Sequence, residues 1–259
     1  MKNNIIFNKE ELMAIADCAL VKANKLITKY EQNPIVIDNK NKDIKTIADV
    51  KINEIILNEL NKTSINILSE ETYNNKNINK GLWWIIDPLD GTHNFSRKFP
   101  CVGISIALYY NLNPILGIIR DIYNKKTFKS LCGKYACVNS SKLKVSTINK
   151  IENATLATGF PSGSKFDKTH LDLFIKCVQK FKKIRSLGSA SIMLSYVSSG
   201  VFDVYYEKDI YIWDVAAGLS LINEAGGKYY IRQTGENYKY EVLASNSVIF
   251  SRAKKLLIK

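Results

Sequence analysis

From residue 9 to residue 30, Leu12, Ile15, Ala16, Ala19, Leu20, Ala23, Leu26 and Ile27 recur every three or four positions, with charges between them. That spacing predicts an amphipathic helix. Ile52, Ile55, Ile56 and Leu60 repeat the rhythm and predict a second helix from about Thr46 to Asn61. The period then shortens. Ile65-Asn66-Ile67-Leu68 reads as a short strand that ends at Glu70 and Glu71, 74–80 as a polar loop, and Trp83-Trp84-Ile85-Ile86 as a buried strand. Val102, Ile104, Ile106 and Leu108 alternate with smaller or polar residues, as strands do, and 115–120 and 127–132 continue that sheet as a meander.

Around 145–152 the chain turns polar, and the rhythm changes. A strand is expected at 154–158, helices at 167–183 and 189–198, a strand at 203–207, and a helix at 214–225 stopped by Gly226-Gly227. The pattern divides the chain into an α+β half, 1–148, and an α/β half, 149–259. No internal repeat is present.

Composition narrows the class. A chain of 259 residues with 46% hydrophobic positions can bury a full core. The first residues lack an apolar run long enough for a signal peptide. No stretch approaches the roughly 20 apolar residues of a membrane span. Cys18, Cys101, Cys132, Cys137 and Cys177 fit neither a zinc site nor a disulfide frame, so reduced cysteines in a cytoplasmic protein are expected. The net charge is +13, from 37 basic and 24 acidic residues. Such a surface attracts nucleic acid, anionic lipid or phosphorylated substrates. Here Lys, Asn and Ile crowd the whole chain, as a biased nucleotide composition would produce. The densest basic run, Lys176, Lys180, Lys182, Lys183 and Arg185, reads as a solvated helix face.

The chemistry concentrates in Asp87-Pro88-Leu89-Asp90-Gly91-Thr92-His93-Asn94-Phe95. A buried apolar run stops at two carboxylates three residues apart, followed by a Gly-Thr pair where a helix can open. Hard oxygen ligands beside backbone N–H groups suit divalent cations and a phosphate. The string resembles the signature of the inositol monophosphatase family, within a wider group of lithium-sensitive, magnesium-dependent phosphatases. Further matches follow in order. Asp43-Ile44-Lys45-Thr46-Ile47-Ala48-Asp49 resembles an upstream element, and Ser69-Glu70-Glu71 a Gly-Glu-Glu element. Trp213-Asp214-Val215-Ala216-Ala217-Gly218 with Glu224-Ala225-Gly226-Gly227 resembles a C-terminal signature.

That resemblance implies a layered αβαβα sandwich, an α+β fold with the site between its halves. It implies two to three Mg2+ ions held by Glu70, Asp87, the Leu89 carbonyl, Asp90 and Asp214. Asp214 also suits the start of a helix, and the two roles are compatible. Thr92 and Asp49 resemble a pair that orients a water together with Glu70. Asp90, Gly91, Thr92, Gly188, Ser189, Ala190, Glu207 and Asp214 fall where the family contacts substrate. Glu71 reads as a supporting residue. His93 and His170 read as packing or solvent-facing, and no Ser-His-Asp or Cys-His arrangement is evident.

The implied activity is hydrolysis of inositol monophosphate or a related polyol or sugar phosphate, by a homodimer. Alternatives with the same chemistry are a 3′(2′),5′-bisphosphate nucleotidase, a fructose-1,6-bisphosphatase and a histidinol-phosphatase. From another class stands a non-catalytic RNA-binding or regulatory protein on this scaffold. A membrane or nucleic-acid partner is not expected. Three departures from the family pattern stand out: Lys45 at a position apolar in many relatives, Ser69 for Gly, and 131–137 without the usual Gly-x-Gly-Ala spacing.

Overall fold

The computed structural model describes residues 8–40, 43–73, 77–160, 167–235 and 238–258. The first amphipathic stripe forms α1 (Lys9–Glu31), opened by the Asn8 side chain, which accepts from the Glu11 N–H. A two-stranded hairpin follows, β1 (Val36–Lys40) and β2 (Asp43–Thr46), and leads into α2 (Ile47–Leu60). The seven-stranded sheet runs in chain order: β3 (Asn66–Ser69), β4 (Leu82–Asp90), β5 (Gly103–Tyr110), β6 (Asn113–Asp121), β7 (Lys126–Leu131), β8 (Tyr135–Val138) and β9 (Ser141–Lys142). β3 pairs parallel with β4, and each later pair is antiparallel. Between β4 and β5 lies α3 (Thr92–Ser96).

The second sheet has the order β11-β10-β12-β14-β13. Its strands are β10 (Thr155–Thr158), β11 (Lys183–Arg185), β12 (Val204–Tyr211), β13 (Gly227–Gln233) and β14 (Lys239–Asn246). Its helices are α4 (Lys168–Lys180), α5 (Ala190–Ser198), α6 (Ile212–Glu224) and α7 (Phe250–Leu257).

Three buried clusters show the layering. Met13, Leu20 and Ile27 of α1 and Ile52 and Ile56 of α2 pack on Trp84, Ile86, Ile106 and Ile118, one face of the larger sheet. Ile85, Ala107 and Ile119 on its other face meet α5 and α6, which also cover Tyr205, Val242 and Ala244 of the smaller sheet. Beyond it, Cys177 of α4 and Ala253 and Leu257 of α7 close over Leu156, Val204 and Leu243. The order is helices, sheet, helices, sheet, helices, the αβαβα sandwich expected. β4 is buried on both faces, which is why its sequence is a continuous apolar run and not an alternation. At Gly117 the central layer is tight: a Cβ there would lie 2.6 Å from the Ala217 carbonyl oxygen of α6.

Some boundaries differ from expectation. The helix expected to reach residue 183 stops at Lys180, and Lys183–Arg185 is an edge strand. The basic run is therefore a helix end and a sheet edge, not one helix face. β12 continues to Tyr211, four residues past the expected end. The hairpin of β1 and β2, the pair β13 and β14, and α7 had no distinct periodic signal. The 74–80 stretch lies partly outside the described residues, with turns at its described end.

Candidate metal and phosphate site

The site begins with an irregularity in β4. Asp87 pairs with Ser105 but Asp90 pairs with Gly103, so three steps on β4 match two on β5. Pro88 lies inside this bulge, where a missing N–H does least harm. The Leu89 N–H donates to Asp87 Oδ1 at 2.9 Å, and the bulge directs Asp87, the Leu89 carbonyl and Asp90 toward one cleft. Gly91 follows with φ of +94°, and a Cβ there would sit 2.9 Å from the Cys101 carbonyl oxygen. Only glycine suits both the dihedral and the close approach. α3 then opens at Thr92.

β3 ends at Ser69, and its parallel pairing with β4 sets Glu70 beside the bulge. The central layer adds Asp214 in the first turn of α6, where the helix dipole favours a carboxylate. Carboxylate oxygens of Glu70, Asp87 and Asp214 all lie within 4.8 Å of one another. Burial, then the charges of Glu70, Asp90 and Asp214, hold the Asp87 carboxyl well above its usual range. Burial, then Glu70, Asp90 and Glu207, does the same to Asp214.

Asp90 lies beside this cluster, held by the N-terminus of α5. The Ser189 hydroxyl donates to Asp90 Oδ2 at 2.6 Å, and the Ser191 N–H at 2.7 Å. The Ala190 N–H donates to Oδ1 at 3.3 Å. Burial raises the Asp90 carboxyl, and these donors pull against the rise. Ser189 and Ala190, expected at the substrate, thus orient a carboxylate first. Both also line the cleft, with Gly188.

Thr92 and Asp49, a pair that only the family resemblance implied, meet in the structure. Thr92 Oγ1 lies 2.9 Å from Asp49 Oδ1 and 3.0 Å from the Leu89 carbonyl oxygen. A hydroxyl has one proton, so it serves one acceptor at a time. Asp49 is buried, and its Oδ2 accepts from the Thr46 hydroxyl at 2.5 Å and the Thr46 N–H at 2.7 Å. It is thus also the third residue of its helix, bonded back to the N-cap. Burial pushes its carboxyl up to about 6, against the donors from Thr46 and Thr92.

Glu207 lines the far side of the cleft, buried, next to a second bulge on β12 where Asp209 has φ of +61°. Burial pushes its carboxyl up to about 8, the Asp90 charge adds to this, and the Tyr205 hydroxyl opposes it. Gly159 leaves its space: a Cβ there would meet Glu207 Oε1 at 2.6 Å.

The cleft, about 670 Å³, therefore gathers Glu70, Asp87, Leu89, Asp90, Gly91, Thr92, Gly188, Ser189, Ala190, Glu207 and Asp214. Asp49 stands behind Thr92. His93 is exposed on the rim. Sequence reasoning missed two contributors. The Asn94 amide donates to the carbonyls of Cys101, Leu187 and Gly188, tying α3 to the turn before α5. Lys45 pairs with Glu71 at the edge of the cleft. Only the departure from the family pattern marked Lys45, and nothing in the sequence marked Asn94 as a tie.

Comparison with known proteins identifies the family and agrees with the fold. The model of the inositol monophosphatase family matches residues 8–259. The chain belongs to the inositol monophosphatase family. Its sequence is 31% identical over 233 residues to the Nus factor SuhB of Escherichia coli K12, covering 88% of this chain and 87% of the relative. The fold superposes on the extragenic suppressor protein suhB from Bartonella henselae with a TM-score of 0.85 and 31% identity, over 96% of this chain and 99% of that one. For the inositol monophosphatase of Anabaena the TM-score is 0.83 at 28% identity, over 96% of each chain.

Proposed function

We propose that the chain is a magnesium-dependent phosphomonoesterase acting on inositol monophosphate or a related polyol or sugar phosphate. The observation that carries this reading is the convergence of Glu70, Asp87 and Asp214 within 4.8 Å. Three like charges held this close repel one another; burial first, and that repulsion with it, raises the proton affinities of Asp87 and Asp214. A divalent cation removes the repulsion. The donors are all oxygens, carboxylates and the Leu89 carbonyl, so they suit a hard ion such as Mg2+ better than zinc. Membership in the family supports the same ion.

Glu70, Asp87, Asp90, Asp214 and the Leu89 carbonyl would hold two ions. When bound, such ions neutralise phosphoryl oxygens and lower the pKa of a coordinated water. The chain's own groups supply the rest. Asp49, fixed by Thr46, accepts the Thr92 hydroxyl proton. The Thr92 oxygen is then left with lone pairs to accept from a water, which it orients with Glu70. Gly91 and Thr92 at the start of α3 face the phosphoryl group. Glu207, on the opposite side, accepts from hydroxyls of the alcohol part. Among the described residues of the cleft no serine or cysteine is paired with a histidine, and the one serine on a carboxylate, Ser189, serves to orient Asp90, so direct attack by water fits best. A cytoplasmic homodimer completes the reading.

The test is phosphate release with Mg2+ over inositol phosphates, sugar phosphates, histidinol phosphate and adenosine 3′,5′-bisphosphate. Polyol monophosphates should rank first, chelation should abolish release, and Li+ and Ca2+ should inhibit. Full turnover in excess chelator, or no release from any substrate, would overturn the proposal. A second reading, a non-catalytic regulator or RNA-binding protein, draws on the net charge of +13 and on the name Nus factor carried by several relatives. The retained carboxylate cluster weighs against it, since a binding surface needs no such cluster.

A further inference from the structure

The acidic end of the cleft contains a cation of its own. Lys45 lies on β2, directly before the Thr46 cap of α2, and lines the cleft with Glu70 and Asp87. Its ammonium pairs with Glu71, whose side chain is only 8% exposed. Burial opposes its charge, but Glu71 and then Asp49 and Glu70 outweigh the cost, so the ammonium is held more firmly charged than a free lysine. Among the described residues the other lysine lining the cleft, Lys239, sits 4.9 Å over the Tyr211 ring and is engaged there. The pair of Lys45 and Glu71 is too exposed on the lysine side to contribute much stability. Its effect falls on the potential around Glu70.

We propose that the Lys45 ammonium is a built-in cation that sets how many divalent ions the cleft holds, limiting it to two. The inference rests on the metal-dependent reading above. Glu70 lines the cleft with Glu71 next to it in the chain, and the two charges together would draw a further cation to the Glu70 side. Lys45 already neutralises Glu71 there, and its charge repels an incoming ion. An uncharged side chain of similar length at 45 would remove both effects and open the position to a third ion.

The experiment counts ions and does not depend on turnover. Mn2+ is titrated into the chelator-stripped chain, with free ion measured by electron paramagnetic resonance and bound ion by equilibrium dialysis. The variants are Lys45→Met, Lys45→Arg and Asp87→Asn, each checked for folding by circular dichroism. The natural chain should bind two ions, and Lys45→Arg the same two. Lys45→Met should bind a third, or hold its weakest ion at least tenfold more tightly. Asp87→Asn should lose at least one. Two ions with unchanged affinities in Lys45→Met would overturn this inference and leave the metal reading standing, as would three ions in the natural chain. No bound Mn2+ in the natural chain would overturn the metal reading and this inference with it.

Discussion

At the scale of single residues, the site works through oxygen atoms placed by a few hydrogen bonds, and this makes two roles separable. Thr92 and Asp49 form one unit, joined at 2.9 Å. Thr92→Ala leaves every carboxylate in place, so kcat should fall more than KM rises. Asp49→Asn should give a similar defect, and the double variant should lose little beyond either single one. Steady-state kinetics on the four proteins decides it; fully multiplicative losses would mean that the two residues act independently. Glu207 belongs to the other end of the cleft. With its carboxyl pushed up to about 8, it is mainly protonated near pH 6 and ionised near pH 9. Glutamine resembles the protonated form. Glu207→Gln should therefore stay within about threefold of the natural chain at pH 6 on a polyol phosphate, and fall behind by roughly tenfold or more at pH 9. Phenyl phosphate, with no hydroxyls to contact, should be little affected at either pH. An equal loss on both substrates at both pH values would place Glu207 in a structural role.

At the scale of elements, the central helices carry the site's precision. α6 brings Asp214 to the carboxylates of β4, and it does so by lying almost on the backbone of β6. Gly117→Ala would drive a Cβ into the Ala217 carbonyl and the Ser220 side chain, 2.6 and 2.9 Å away. Overpacking of this kind costs about 1–3 kcal/mol. Urea denaturation should show that loss, and Mg2+-dependent turnover should fall as well because α6 shifts at its Asp214 end. A change in stability below about 0.5 kcal/mol would show that the layer relaxes freely. The elements differ in how clearly the sequence announces them, for physical reasons. α1 has one wet face and one buried face, so its stripe is plain. β4 is buried on both sides, so its apolar run and abrupt acidic end were legible. β1 leaves Val36 and Ile37 exposed, and β13 alternates weakly, so neither shows a clean period. β11 hides within a basic run because an edge strand needs no apolar face. Likewise the motif residues were legible one by one, while Asn94 with Leu187, Ser189 with Asp90 and Lys45 with Glu71 meet only through the fold.

For the whole molecule, the cost of the site should appear as a dependence of stability on pH and on cations. Without an ion, Asp87, Asp90 and Asp214 are all raised above the usual carboxylate range, Asp49 to about 6 and Glu207 to about 8. A group raised on folding binds more protons in the folded than in the unfolded chain between its two pKa values. Stability contributed this way is present at low pH and is lost as pH rises through the folded value. From about pH 4.5 to pH 8 the ion-free protein should therefore weaken. Glu59 acts in the opposite sense. The side chains of Lys22 and Lys62 hold it down to about 2, so its contribution is lost only on acidification below its usual value. The two windows meet near the ordinary carboxylate range, so the maximum for the ion-free protein should lie at or below about pH 4.5. Mg2+ replaces the missing protons, so it should raise Tm by several degrees at pH 8 and by much less at pH 5. Calorimetry of the chelated and Mg2+-loaded protein at pH 5, 6.5 and 8 provides the test. A Tm that is flat across this range, or a Mg2+ shift equal at both ends, would mean that these carboxylates are not the groups that the cation relieves.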